Sequence, residues 1–224
     1  MANNVILFDL DGTLVDTAPD FEATINAVRA SLNMSALALS EILPMINHGA
    51  VAMTQLAFSV REIDEDFNDL KQKFLDQYTH NIGKHSRVYT GLHELLARFE
   101  HERQPWGIAT NKPRKYAERY LGFLPAQPTL LICGDDVEKP KPDPMMLYKA
   151  AEMLSLPPSK VGYVGDHERD IIAAKAAGMF SIAASYGYMC QNECASHWQA
   201  DIIAKSSKEL AEFIYSYTGI SKRF

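Results

Sequence analysis

Short, almost wholly apolar runs alternate with longer helical patterns through most of this sequence. The runs are Val5–Phe8, Trp106–Thr110, Leu130–Cys133, residues 161–164 and Phe180–Ala184, with residues 202–203 as a candidate for the last. Between them Leu92, Leu95, Leu96 and Phe99 recur at helical spacing, as do Met146, Ala150, Met153 and Leu154. A strand that is apolar at every position is covered on both faces, and parallel strands joined through helices need right-handed crossovers. The pattern predicts an α/β fold: a doubly wound parallel sheet, with Leu210, Phe213, Ile214 and Tyr217 on a closing helix.

One segment breaks the alternation. Thr17 with Asp20 three residues on predicts a capped helix start, followed by Phe21, Ile25, Val28 and Leu32 on one face. Ile63, Phe67, Leu70, Phe74 and Tyr78 repeat the pattern with no strand signal between. Residues 17–87 therefore predict an all-helical insert after the first strand, leaving 1–16 and 88–224 as the sheet domain.

At 224 residues, 47% of them hydrophobic, the chain can bury one good core and a smaller second unit. A net charge of −6 argues against nucleic acid or an anionic lipid surface as partner. No apolar stretch reaches the ~18 residues of a membrane span, and Asp9 and Asp11 interrupt the N-terminal apolar run, so a cytoplasmic protein is expected. The three cysteines are too few and odd in number for a disulfide framework. Cys190, Cys194 and His197 match no common zinc spacing and lack a fourth ligand, which favours a polar loop.

Ligands of open parallel sheets bind beyond the carboxyl ends of the strands. Asp9, Thr110 and Asp166 each stand at or just after the end of an apolar run, so this topology gathers them at one rim. Three readings of Asp9-Leu10-Asp11-Gly12 compete. A calcium loop needs its glycine at the sixth position and a helix before it. A solvated Asp-Gly turn leaves the other strand ends unexplained. The third reading is a nucleophilic carboxylate with a neighbouring acid/base.

The stretch FDLDGTLVD, from Phe8 to Asp16, resembles the first motif of the haloacid dehalogenase-like hydrolases. TNKP from Thr110 resembles the second motif, KPKPDP from Lys139 the third, and GDHERD from Gly165 the fourth. All four stand in family order, and the fold pattern covers essentially the whole chain. The resemblance implies that Asp9 attacks phosphorus and that Asp11 protonates the leaving alkoxide, then activates water. It implies Mg²⁺ held by Asp9, the backbone carbonyl of Asp11 and Asp166, with Asp170 orienting its surroundings. Thr110, the Asn111 amide and Lys139 are expected on the phosphoryl oxygens, with Gly12 allowing close approach of backbone amides. The lysine-Pro-x-Pro pattern selects Lys139 and leaves Lys141 solvated; Thr13 is expected to stiffen the turn.

Asp11 separates branches within the family: members that displace halide, and those that cleave phosphonates, lack it. A phosphate monoester of a small metabolite is the substrate this implies, with a monomer or homodimer as the working unit. The insert fits the family's cap, where His48 and Gly49 are candidates for reading the leaving group. TNKP, KPDP and AAKAAG are similar to phosphoglycolate phosphatases, while YGY at Tyr186 and HWQAD at His197 are similar to N-acetylmuramic acid 6-phosphate phosphatases. A phosphomutase shares Asp9, Asp11 and the cap. A phospho-accepting receiver domain lacks such an insert. A non-catalytic phospho-ligand binder has no need of Asp9, Asp11, Lys139 and Asp166 together.

Overall fold

A computed structural model describes residues 4–189 and 194–222. The chain opens with β1 (Val5–Phe8) and a short β2 (Val15–Asp16). Four helices follow: α1 (Ala18–Ser31), α2 (Leu39–Ile46), α3 (Gly49–Phe58) and α4 (Phe67–Asn81). Then β3 (Arg87–Val88) leads into α5 (Leu92–Glu102), β4 (Trp106–Thr110), α6 (Arg114–Leu121) and β5 (Leu130–Cys133). The remaining elements are α7 (Met145–Leu154), β6 (Val161–Gly165), α8 (Glu168–Ala176), β7 (Phe180–Ala184), β8 (Ile202–Ala204) and α9 (Ser207–Thr218).

The main sheet runs β5-β4-β1-β6-β7-β8, parallel throughout, with β1 near its centre. Successive side chains of a strand point to opposite faces. Ile6 and Phe8 accordingly enter a core shared with Leu92, Leu95, Leu96 and Phe99 of α5 and Leu210 and Ile214 of α9. Leu7 enters the opposite layer, with Met146 and Leu147 of α7 and Ala173 and Ala174 of α8. Each strand is thus covered on both sides, as its unbroken apolar run requires. The doubly wound α/β architecture is the one the alternation predicts.

Three local features differ from the sequence reading. Residues 15–16 and 87–88 pair as an antiparallel ribbon at the two ends of the helical segment, where no strand was expected. Two-residue strands are too short to carry a period-2 signal. Ile63 lies before α4 and is 82% exposed, and Met153 is also exposed, so neither belongs to the core face its spacing suggested. Thr17 precedes α1 but makes no side-chain cap. The first N–H of the helix, on Ala18, instead donates to Tyr188 Oη at 2.7 Å.

The expected partner of that cap, Asp20, is fully buried and stitches the segment's two ends together. It accepts from the backbone N–H groups of Gly83 (2.6 Å) and His85 (2.8 Å) and from Ser86 Oγ (2.5 Å). No helix among the described residues is long and apolar enough to cross a membrane. Cys190 lies outside the described residues, so the Cys190–Cys194–His197 reading has no structural counterpart here.

Candidate active site

Asp9 follows β1 directly, and its N–H donates to the Val164 carbonyl at 2.8 Å, which carries the sheet register one residue past the strand. Its carboxylate meets those of Asp166, after β6, and Asp170, in the first turn of α8. Oxygens of the three lie within 4.8 Å of one another. Asp170 is therefore part of the carboxylate cluster itself, closer in than the supporting position expected of it. The Asp11 carboxylate is not in this cluster; it turns to the other side of the rim.

Two glycines make room for Asp166. Gly12 sits at φ +74°, and a Cβ there would overlap Asp166 Oδ2, while a Cβ on Gly187 would overlap Asp166 Cβ. Asp166 also accepts from Thr13 Oγ1 (3.2 Å) and the Tyr188 N–H (2.8 Å). The Gly12 N–H bonds the Val15 carbonyl at 3.0 Å, so the glycine serves carboxylate packing and the turn. The Thr13 hydroxyl thereby ties the turn after β1 to Asp166.

The third-motif lysine needs correction. Lys139 is exposed on the loop after β5, and Lys141 occupies the place expected of it. The Lys141 side chain is 1% exposed, with Nζ 2.6 Å from Asp170 Oδ1 and 3.1 Å from Asp9 Oδ1. It also donates to Tyr163 Oη (2.6 Å) and the Ala109 carbonyl (3.2 Å). The sequence offers the same lysine-Pro-x-Pro pattern twice, at Lys139 and at Lys141. What separates them is Asn111, whose side chain grips the Lys141 backbone at both ends: Lys141 N–H to Oδ1 at 3.0 Å, and Nδ2 to the Lys141 carbonyl at 2.9 Å. That clamp turns Lys141 inward. It also uses both ends of the amide that was expected to meet phosphate, so the Asn111 side chain positions the lysine.

Electrostatics follow from burial. Burial, then the charges of Asp9 and Asp170, push Asp166 well above the usual carboxylate range. Burial also raises Asp170, with the Lys141 ammonium opposing the rise. For Lys141, burial works against the charged form, but Asp170 and Asp9 outweigh it and its pKa is raised. Of the three clustered carboxylates, Asp9 and Asp170 pair with the Lys141 ammonium, and Asp166 is held by Thr13 and the Tyr188 N–H. Asp9 Oδ1, though beside that ammonium, is buried and takes no hydrogen bond. An all-oxygen donor set of three clustered carboxylates against one paired ammonium suits a hard divalent cation such as Mg²⁺.

Above the carboxylates lies a cavity of about 350 Å³. Asp9, Asp11, Thr110, Lys141 and Asp170 form its floor, and Phe21, Phe74, Tyr78 and Tyr116 give it aromatic walls. His48 and Gly49, singled out in the sequence, line it from the start of α3, as does Arg169 from α8. The Arg169 guanidinium touches the His167 ring (3.3 and 3.2 Å) and meets no carboxylate among the described residues. Thr110 is buried, its Oγ1 accepting from the Lys112 N–H at 3.3 Å.

Sequence reasoning missed Lys112, whose Nζ binds both oxygens of Asp11, at 2.8 and 2.9 Å. It stands in the quoted TNKP stretch, but nothing in its type or spacing distinguishes it from a solvated lysine. Across the site, Tyr188 Oη donates to Asp16 (2.7 Å), and Asn47 Nδ2 of the helical segment donates to the Tyr188 carbonyl (3.1 Å).

A strand-end aspartate pair, a buried lysine and an acidic cluster on a parallel sheet with a helical insert define a hydrolase of one class. The sequence model of the haloacid dehalogenase-like hydrolase family matches residues 6–184. The chain belongs to that family. It is 37% identical over 217 residues to the N-acetylmuramic acid 6-phosphate phosphatase of Pseudomonas aeruginosa, covering 96% of each chain. It is 38% identical over 210 residues to a phosphoglycolate phosphatase of Xanthomonas campestris pv. campestris, covering 92% of this chain and 94% of the relative. Among solved structures, one described as a predicted phosphoglycolate phosphatase from Haemophilus somnus 129pt superposes with a TM-score of 0.82. That pair shares 27% identity, over 95% of this chain and 98% of the other.

Proposed function

We propose that the protein is a Mg²⁺-dependent phosphatase that hydrolyses a phosphate monoester of a small, carboxylate-bearing metabolite through an aspartyl-phosphate on Asp9. The observation that carries this reading is the buried Asp9 Oδ1 at the floor of the cavity, ion-paired with Lys141 at 3.1 Å and with no further hydrogen bond among the described residues.

In this reading Asp9 attacks phosphorus, and the ester P–O bond breaks with its electron pair leaving on the alkoxide oxygen. Asp11 gives that oxygen a proton. Water then attacks the phosphorus of the aspartyl-phosphate, Asp11 takes the proton from the water, and the bond to Asp9 breaks. The net change is ester plus water to alcohol plus phosphate. Lys141 supplies fixed positive charge beside Asp9 as charge shifts in the transition state, and the Thr110 hydroxyl supports the phosphoryl oxygens. Asp9, Asp166 and Asp170, with the Asp11 carbonyl, are the groups to hold Mg²⁺. When bound, that ion adds positive charge where the carboxylate nucleophile meets a dianionic phosphoryl group.

Residues 17–87 act as a cap over the core of 1–16 and 88–224, and the cavity between reads the leaving group. Arg169, which meets no carboxylate among the described residues, is suited to a carboxylate on that group. Phosphoglycolate, the substrate in the names of many relatives, satisfies this demand. N-acetylmuramic acid 6-phosphate also carries a carboxylate, and one observation favours it as a second reading. A 350 Å³ cavity with four aromatic walls exceeds what a two-carbon glycolyl group fills.

The test is phosphate release from 2-phosphoglycolate, N-acetylmuramic acid 6-phosphate and 4-nitrophenyl phosphate, each with Mg²⁺, with EDTA, and with Asp9→Asn. Mg²⁺-dependent turnover lost in Asp9→Asn supports the reading, and the kcat/KM ratio assigns the substrate. Absence of turnover on every ester refutes it.

A further inference from the structure

The Lys112 ammonium is one of the most enclosed charges in the molecule, its side chain only 6% exposed. Its three N–H donors are all engaged: two by the Asp11 oxygens at 2.8 and 2.9 Å, the third by Tyr78 Oη at 2.7 Å. Around them the rings of Phe21, Tyr78 and Tyr120 stand 5.1, 5.1 and 5.2 Å from Nζ, a box that confines the ammonium to one position. Tyr78 and Tyr120 are themselves joined, Oη to Oη at 3.1 Å. Beyond them Tyr120 Oη donates to the buried Asp20 at 3.3 Å.

A carboxylate on two side-chain torsions needs an outside hold if one of its oxygens is to face a leaving group reproducibly. Asp11 gets that hold from a partner that is itself fixed on every side. Lys112 has no donor left for a phosphoryl oxygen unless it releases Asp11, and Lys141 already places a cation beside Asp9. We propose that Lys112 is the positioning residue for the acid/base Asp11: it fixes the carboxyl group that, in its acid form, protonates the leaving oxygen, and Tyr78 and Tyr120 fix Lys112. This inference rests on the phosphatase reading above and adds a residue to it.

Leaving-group chemistry tests it. 4-Nitrophenolate leaves without a proton, whereas an alkoxide needs one, so a defect in the acid appears on alkyl esters and largely spares aryl esters. The quantity to measure is kcat/KM, which reports the first chemical half of the cycle. The substrates are 4-nitrophenyl phosphate and whichever of 2-phosphoglycolate and N-acetylmuramic acid 6-phosphate is turned over. The proteins are wild type, Asp11→Asn, Lys112→Met, Lys112→Gln, Tyr78→Phe and the double variant Asp11→Asn/Lys112→Met. The alkyl-to-aryl ratio cancels any loss of folded protein, so a poorly folding variant still gives an answer.

Both Lys112 variants should lower that ratio by about tenfold or more, toward the larger fall in Asp11→Asn, within the ~10²–10⁴ range of acid–base catalysis. Tyr78→Phe should lower it in the same direction and by less. The double variant should show the ratio of Asp11→Asn alone, because the lysine acts through the aspartate. If Asp11→Asn lowers the ratio and the Lys112 variants leave it at the wild-type value, this inference is overturned and the phosphatase reading stands. If Asp11→Asn itself leaves the ratio unchanged, or no alkyl ester is turned over, the mechanism assigned to Asp11 fails and this inference with it.

Discussion

Replacing Lys141 with methionine keeps most of the side-chain volume and removes the ammonium that pairs with both Asp9 and Asp170. Lys141 and Asp170 are each 1% exposed and 2.6 Å apart, with Asp9 3.1 Å from the same nitrogen. Removing one partner of a buried pair strands the other charge, at a cost of about 3–5 kcal/mol. With a urea m-value of roughly 2.5 kcal/mol/M, the unfolding midpoint should fall by roughly 1–2 M at pH 8 in EDTA. Asp166 and Asp170 already have raised pKa values, and the variant removes the ammonium that opposes the rise of Asp170. A carboxyl that binds its proton more tightly when folded favours the fold at low pH and loses that contribution as pH climbs through the raised value. The deficit should therefore be clearly smaller at pH 5 than at pH 8, and Mg²⁺ should restore part of it at pH 8. Lys139→Ala, on an exposed side chain, is the control and should change stability by less than about 0.5 kcal/mol and kcat/KM by less than about twofold. A Lys141→Met deficit below about 1 kcal/mol, or one equal at both pH values, would refute the argument that this ammonium neutralises the cluster.

Gly12→Ala should destabilise by about 1–2 kcal/mol from the left-handed backbone alone. Because the new Cβ overlaps Asp166 Oδ2, it should also raise the Mg²⁺ concentration needed for half-maximal activity, read from a metal titration. Arg169→Leu should raise KM for carboxylate-bearing esters by about tenfold, the worth of one charge-assisted contact, and leave KM for 4-nitrophenyl phosphate unchanged. Burial pushes the Cys133 thiol up to about 12, while the Ser196 hydroxyl lowers that of exposed Cys194. Iodoacetamide at pH 7.5 should therefore modify Cys194 and leave Cys133 intact in the folded protein, as peptide mass mapping would show.

The sheet was legible because its strands are buried on both faces, and an unbroken apolar run of four or five residues between helical patterns has few other readings. Hence the first five runs reappear as strands with bounds almost unchanged. The ribbon of residues 15–16 with 87–88 was not legible, because its pairing depends on where the helical segment begins and ends in space. The same holds for Ile63 and Met153: helical spacing places a residue on a stripe, but only the neighbouring elements determine how far along its axis the stripe is covered.

Within the site, legibility followed the distance between a residue and the strand end that carries it. Asp9 and Asp166 follow their strands directly, so strand assignment alone places them on the rim. Lys139 and Lys141 sit on a loop beyond β5, where no periodicity fixes which side chain turns inward. Two residues further along, the same Pro-spaced pattern repeats, and the decision falls to Asn111, about thirty positions earlier, which grips the backbone of Lys141 on both sides. Lys112 was hidden for the same reason. Its burial depends on rings from α1, α4 and α6 that meet only once the insert packs on the core. Strand ends place the aspartates of the rim, and long-range packing places the cations that pair with them. A sequence motif that spans only a loop therefore identifies the kind of charge a site needs more securely than it identifies which of two neighbouring lysines supplies it.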